Sequence, residues 1–332
     1  MAEPRAPRLS AVIACYRDAQ AIPVMYERLS SVFSALGVEH EIIFVNDGSP
    51  DDTQAVLKAL TARDERVLAI EHSRNFGSQN AFLSGMELAT GDAVILLDGD
   101  LQDPPEVIPA LVEKWRQGND IVYGRRAQRE GSVVMSMAAR AFYRVFRRLS
   151  HVPMPLDAGD FSLIDRRVVE ELLRLPEVDP FVRGLRAWVG FRQAGVDYVR
   201  PERAFGRSTH TRLKNLWWAK KAIFSFSFLP IEVLSYLGLI MTVLSLPVLV
   251  FRLLRGTSVT GALVAFFGSL NLLAVSIVGE YLIRTFEEVK RRPKFVRRAL
   301  WHRGAELSAP AEMASFVRRR RDEQDSTEAG AG

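Results

Sequence analysis

The chain has one cysteine, Cys15, in 332 residues, so it cannot close an internal disulfide and its cysteine usage fits a reducing compartment. Its five histidines lack metal-ligand spacing, which argues against a zinc site. No Gly-x-Gly-x-x-Gly fingerprint and no Walker A loop occurs, which argues against a dinucleotide oxidoreductase and a P-loop enzyme. Ser49, Ser162 and Cys15 have no nucleophile motif or sequence-adjacent base, so no hydrolase signal is present. The first residues, MAEPRAPRLSAVI, lack the basic-then-apolar pattern of a signal peptide. No nucleic-acid motif or aromatic-basic repeat is evident, and no nucleic-acid partner is expected.

Charge is missing from two long stretches, and there the absence is positive information. Residues 233–251 and 256–279 contain no charged side chain, and each run is long enough to span a hydrocarbon core as a helix. Spans are expected at about 231–253 and 261–284, within a hairpin covering 230–286. Pro247 falls inside the first, where lipid-embedded helices tolerate it. Arg207, Arg212, Lys214, Lys220 and Lys221 precede the first run. Lys290, Arg291, Arg292, Lys294, Arg297 and Arg298 follow the second, against only Arg252 and Arg255 between them. This asymmetry predicts a multi-pass protein of the cytoplasmic membrane with both termini on the cytoplasmic side. The net charge of +5 gathers beside these runs, which suits anionic headgroups of a lipid bilayer. Residues 213–229, with Trp217 and Trp218 among lysines, read as an interfacial helix. Residues 287–332 read as a basic cytoplasmic tail, disordered from Arg318 to Gly332.

The first 212 residues read as a cytoplasmic α/β domain. Strand patterns at Ser10–Cys15, Glu41–Val45, Val67–Ile70 and Ala93–Leu97 alternate with helical patterns at Ala19–Leu36, from about Asp52 to Ala62, and from about Gln79 to Ala89. This rhythm predicts a doubly wound, mostly parallel sheet. Asp120–Tyr123 and Phe161–Ile164 read as further strands, with a helix over about 133–149 between them.

The sharpest signal is AVILLDGDLQDPPE, Ala93 to Glu106. A continuous apolar run of strand length delivers Asp98 and Asp100 to the carboxyl end of a strand, where open α/β sheets bind ligands. Gly99 permits close approach of a ligand to the backbone. Paired carboxylates suit Mg²⁺ or Mn²⁺ shared with substrate phosphates, and Gln102 adds a polar contact. Asp103 reads as the cap of a helix opening at Pro104 and Pro105. Tyr16 and Arg17 fall at the end of the first strand, Asn46, Asp47, Gly48 and Ser49 at the end of the second. Arg74, Asn75, Phe76 and Gly77 follow the third. Together they outline one crevice in which carboxylates can accept hydrogen bonds from a base or ribose and Arg74 can neutralise phosphate.

SAVIACYRD, FVNDGSPDDT, SRNFGSQNAFLSGMELATGD, LLDGDLQDPPE, DAGDFSLIDRR and the paired apolar runs resemble family 2 glycosyltransferases of GT-A fold. More narrowly, they resemble the polyprenyl-phosphate glycosyltransferases, the group that includes bactoprenol glucosyl transferases and dolichol-phosphate mannose synthase. The resemblance implies inverting transfer of a sugar from a nucleotide-sugar donor to a polyprenyl-phosphate acceptor. UDP-glucose is the expected donor. GDP-mannose, UDP-N-acetylglucosamine, UDP-galactose or a modified arabinose donor are the alternatives, as is a non-catalytic nucleotide-sugar-binding membrane module. It further implies that Asp47 contacts the nucleobase region, that Asp98 helps place the diphosphate, and that Asp100 binds Mg²⁺ or Mn²⁺ with Gln102 close by. In DAGDF both Asp157 and Asp160 are candidates for an essential carboxylate near the acceptor. Asp157 is favoured because Asp160 opens a strand. Arg200, Arg203, Arg207 and Lys214, just before the apolar runs, are candidates for the acceptor phosphate. A membrane-bound homo-oligomer and a separate flippase downstream are expected. A processive polysaccharide synthase would need further spans and a Gln-x-x-Arg-Trp motif, which is absent.

Overall fold

The computed structural model describes residues 7–126, 158–177, 180–201, 205, 236, 240, 247, 254–255 and 260–329. Two compact units result. The first holds residues 1–139, 153–209 and 293–332, and the second holds 140–152 and 210–292.

The first unit is built on a nine-stranded sheet among the described residues. Its strands are β1 (Arg8–Cys15), β2 (Glu39–Asn46), β3 (Val67–His72), β4 (Ala93–Asp98), β5 (Ile121–Arg126), β6 (Ala158–Asp165), β7 (Gln193–Tyr198), β8 (Arg297–His302) and β9 (Ala305–Leu307). Their order is β7-β5-β6-β4-β1-β2-β3-β8-β9. β1 pairs in parallel with β2 and β4, and β2 with β3. β6 runs antiparallel to both β4 and β5, while β5 and β7 are parallel. The mostly parallel α/β sheet expected from the apolar runs is therefore present. Ile42 to Val45, Ala93 to Leu97 and Leu9 to Ile13 are fully or almost fully buried, as strands covered on both faces require.

Helices α1 (Ala21–Leu36), α2 (Thr53–Arg63), α3 (Ser78–Met86) and α4 (Ile108–Arg116) alternate with the first strands, and α5 (Arg166–Arg174) and α6 (Val182–Trp188) follow β6. In α1, Ile22, Met25, Leu29 and Phe33 recur at helical spacing and are all fully buried, making one apolar stripe against the sheet. The first turn of α2 is held by Asp51, whose Oδ1 accepts from the Thr53 hydroxyl at 2.6 Å and from its N–H at 3.3 Å.

The C-terminal region departs from expectation. Instead of a solvated tail, β8 pairs antiparallel with β3, Trp301 is fully buried, and α8 (Pro310–Ala329) is helical across most of the stretch expected to be disordered. The composition of RRRRDEQDSTEA looks solvated, but two of its arginines find buried or half-buried carboxylates. Arg320 pairs with Glu41, which is 3% exposed, and donates from Nε to the Leu88 carbonyl at 2.9 Å. Arg321 and Arg297 share Glu87. A charged segment can stay ordered when its charges are paired in this way.

The described part of the second unit is chiefly α7 (Thr260–Lys290), a helix of 31 residues. Among the described residues no helix is long and apolar enough to cross a membrane. The first apolar run, the interfacial segment 213–229 and the helix expected over 133–149 lie outside the described residues, apart from isolated positions.

Candidate functional site

The sheet register brings the carboxyl ends of β1, β2, β3 and β4 to one edge: Cys15 lies opposite Asn46, Asn46 opposite Glu71, and Ala14 opposite Asp98. β5 and β7 end at the same edge, Arg126 opposite Tyr198, and β6 begins there, with Ala158 opposite Arg125. The loops that leave this edge carry the residues singled out in the sequence.

Loop Asp98–Asp103 is the acidic centre. Gly99 passes close to its own neighbours, since a Cβ there would lie 3.0 Å from Asp18 Oδ2 and 3.1 Å from the Ala14 carbonyl. The Gly99 N–H donates to that carbonyl at 2.9 Å. Leu101 adopts a φ of +62°, an uncommon conformation for a branched side chain. Asp100 accepts from the Gln102 N–H at 3.1 Å and lies 4.0 Å from Arg200 Nη2. Gln102 Nε2 donates to the Pro201 carbonyl at 3.2 Å. Burial pushes the Asp98 carboxyl well above the ordinary carboxylate range. Asp103, Asp100 and Asp160 push it the same way, and Arg200 opposes them.

Asp103 is not the helix cap expected from the sequence. The helical turn it precedes has no side-chain cap bond, and Asp103 is 2% exposed. It accepts from the Asp98 N–H at 3.3 Å and from the Tyr198 hydroxyl at 3.0 Å. Burial raises its carboxyl too, against Arg200 and with Asp100.

Asp47 faces inward. Its two oxygens accept from the N–H groups of Phe76 and Gly77 at 2.9 and 2.8 Å, and His72 Nδ1 lies 2.8 Å from Oδ1. Within this structure it holds the 73–77 loop to the end of β2. Gly48 completes the junction at a φ of +63°, where an added Cβ would lie 2.4 Å from the Arg74 backbone carbon. Gly48→Ala is expected to destabilise the protein by more than about 2 kcal/mol and to loosen this loop. Thermal unfolding beside nucleotide binding would check it, and an unchanged melting temperature would contradict the contact. Ser49 receives the Arg17 N–H at 2.8 Å and donates to Asp51. The Tyr16 N–H donates to Asp18 Oδ2 at 2.9 Å. Arg74 lies over the Phe76 ring, 4.1 Å from its centroid, and donates to the Asn75 carbonyl, leaving an exposed guanidinium edge at the loop.

Asp160 is the third residue of β6 rather than its first. Arg183 grips it at both oxygens, at 2.9 and 2.8 Å. Burial opposes its charge, but Arg183, with help from Arg186 and Gln79, outweighs burial and holds the carboxyl below its usual range. It is thus an ionised, doubly bonded carboxylate suited to fixing β6 and α6. Asp157, Arg203, Arg207 and Lys214 lie outside the described residues.

The structure thus gathers Asp98, Asp100, Gln102 and Arg200 into one cluster. Asp47, Gly48, Arg74, Asn75 and Gly77 meet in a second junction at the same edge, and Tyr16 and Ser49 join the loops beside it. Sequence reasoning missed Asp103 as a member of the cluster, together with Tyr198, His72 and Arg183. Tyr198 closes a short strand with weak alternation, and nothing local marks the others. The first cluster sets Asp98 and Asp100 on one loop, a chemistry able to share a hard cation with an anionic ligand, and Arg200 beside them suits a phosphorylated one.

The profile of Glycosyl transferase family 2 matches residues 10–173. The uncharacterized glycosyltransferase sll0501 of Synechocystis is 41% identical over 304 residues, 88% of this chain and 95% of that protein. The bactoprenol glucosyl transferase of Shigella phage SfII is 37% identical over 308 residues, 90% and 99% of the two chains. Among solved structures, mannosyl-3-phosphoglycerate synthase from Rubrobacter xylanophilus superposes with a TM-score of 0.45 at 19% identity, over 66% of this chain and 73% of that one. On the strength of the profile and of relatives matched almost end to end, this chain belongs to glycosyl transferase family 2.

Proposed function

We propose that the protein transfers a sugar, with inversion, from a nucleotide diphosphate sugar to a polyprenyl phosphate, and that the donor is UDP-glucose. The observation that carries the reading is the placement of Asp98 and Asp100 on one loop beside Arg200, at the edge where the sheet gathers its polar loops. The acceptor class is supported by relatives named bactoprenol glucosyl transferase, which are 35–37% identical over 87–90% of this chain.

The residues present fit a divalent cation. Asp98, Asp100 and Asp103 share one loop, and Asp103 and Asp100 both press on the buried Asp98 carboxyl. Among the described residues no group of three or more acidic, histidine or cysteine side chains forms a cage of its own; Mg²⁺ commonly takes one or two carboxylates together with substrate phosphates. Asp100, with Asp98 beside it, would hold Mg²⁺ or Mn²⁺, and the bound ion supplies Lewis-acid stabilisation of the departing diphosphate.

The remaining work falls to the chain. The 73–77 loop, fixed by Asp47, bounds the donor pocket, and Arg74 offers charge to a diphosphate. A phosphate monoester, with a second pKa near 6, is already largely dianionic at neutral pH. The acceptor therefore needs orientation and cations more than a strong base. Asp157 remains the proposed carboxylate near the acceptor, with Asp160 behind it as the partner of Arg183. Arg200, Arg203, Arg207 and Lys214 are proposed to receive the acceptor phosphate. The same reading puts the enzyme at the cytoplasmic face of a membrane through a two-helix hairpin, as a homo-oligomer whose product a separate flippase would carry onward.

The test is transfer from labelled UDP- and GDP-sugars to undecaprenyl phosphate in detergent with Mg²⁺ or Mn²⁺, beside an Asp100→Ala control. Lipid-soluble label with the parent protein alone is the expected result and names the sugar. Intact donor throughout, with folded protein, would favour a binding module.

A further inference from the structure

Tyr198 is a tyrosine at the last position of β7, 4% exposed, with no place in the chemistry above. Its ring is fixed on two sides. It meets Phe161 edge to face at a centroid distance of 5.4 Å, and it lies so close to Gly124 that a Cβ there would come within 2.7 Å of it. Its hydroxyl donates to Asp103 Oδ1 at 3.0 Å and also bonds with Arg126. The other oxygen of Asp103 accepts the Asp98 N–H at 3.3 Å. Two more ties join the same segments: Gln102 Nε2 reaches the Pro201 carbonyl, and Arg200 stands 4.0 Å from Asp100. The end of β7 therefore straps the acidic loop at three points, and one of them is built from a buried aromatic.

Such a strap has a reason. Loop Asp98–Asp103 concentrates like charges and includes Leu101 at a φ of +62°. Left alone, it would relax by spreading its carboxylates apart. A buried hydroxyl paired with a buried carboxylate holds it against that repulsion, because breaking the bond would strip Asp103 Oδ1 of its donor in a buried site.

We infer that Tyr198 is a positioning residue for the acidic loop: its hydroxyl holds Asp103, Asp103 holds the Asp98 backbone, and the loop keeps the shape that offers Asp98 and Asp100 jointly to a cation-bound diphosphate. This rests on the cation reading above. Partners that orient metal-binding carboxylates typically change cation affinity ten- to a hundredfold when removed.

The experiment is calorimetric titration of Mn²⁺ into the full chain, with UDP and separately with GDP present, for the parent protein, Tyr198→Phe, Asp103→Asn and the double variant. Tyr198→Phe keeps the ring packing and removes only the hydroxyl. It is expected to weaken Mn²⁺ binding about tenfold or more, and the double variant is expected to bind no more weakly than Asp103→Asn, since the tyrosine acts through the aspartate. Unchanged affinity in Tyr198→Phe, or two losses that add in full, would overturn the inference while leaving the cation reading intact. A parent protein that binds no Mn²⁺ with either nucleotide would overturn both. Should Tyr198→Phe fold poorly, Asp103→Asn carries the affinity comparison and Arg126→Met probes the hydroxyl from its other side.

Discussion

Asp100→Asn is expected to lower sugar transfer by about a hundred- to a thousandfold and, without divalent cation, to unfold at a higher temperature than the parent protein. The two effects share one cause. Asp98 is pushed up first by burial and then by Asp103, Asp100 and Asp160. The folded protein thus holds the Asp98 proton more tightly than the unfolded chain does. Stability from this group is full at pH below the ordinary carboxylate range and declines as pH rises through that range to the folded value. At neutral pH the cation-free protein bears the cost of keeping these carboxylates together. Neutralising Asp100 removes one repulsion, for a gain of about 1 kcal/mol, and Mn²⁺ should raise the parent's melting temperature while barely moving the variant's. Calorimetric melts with and without Mn²⁺, beside a transfer assay, check both halves. A variant that melts below the parent in the absence of cation would contradict the electrostatic account.

Arg320→Ala should destabilise the first unit by about 3–5 kcal/mol, the usual consequence of stripping one partner from a buried ion pair. Glu41 lies near the amino end of β2, at the opposite edge from the acidic loop. It accepts the Ser10 hydroxyl at 2.6 Å and the Thr90 N–H at 2.7 Å, with Arg8 at 3.6 Å and Arg320 in direct contact. Burial works against its charge, but Arg320 foremost, then Arg8, Ser10 and Thr90, bring its carboxyl down to about 2. The stabilisation is therefore present above the ordinary glutamate range and lost as pH falls toward about 2. Acid unfolding of the parent protein should steepen across that window, and Arg320→Ala should flatten it. Equal acid sensitivity in both proteins would mean that Arg320 contributes nothing to Glu41.

Much of the fold could be read from residue order because β1 to β4 are buried on both faces and so announce themselves as unbroken apolar runs. β7, QAGVDY, is half-exposed along most of its length and gives no such run. β8 was hidden differently: RRALWH sits in a basic stretch, and only its pairing with β3, more than two hundred residues earlier in the chain, makes it a strand. At the site, Asp98 and Asp100 were legible because a strand end and a short motif coincide. Asp103 was misread because a local rule, aspartate before two prolines, competes with a contact from Tyr198 that is 95 residues away in sequence. The inward turn of Asp47 toward Phe76, Gly77 and His72 is likewise a meeting of two loops. Charge pattern suggested a loose tail at Arg318–Gly332 because it carries no information about which carboxylates lie buried elsewhere.

The placement of β8 and α8 also sets an order of events during synthesis. Ser73 donates its N–H to the Val296 carbonyl, and the His72 ring stacks on Phe295 at 5.5 Å, so the loop that Asp47 anchors leans on residues translated after the 31-residue helix Thr260–Lys290. A ribosome that has finished β1 to β7 has made every carboxylate of the acidic loop but not the strand that closes the sheet beside β3. The nascent domain must wait, with that edge open, until Arg297–His302 emerges. While the helix Thr260–Lys290 is still being laid down, the 73–77 loop therefore lacks the neighbours that Phe295 and Val296 later supply.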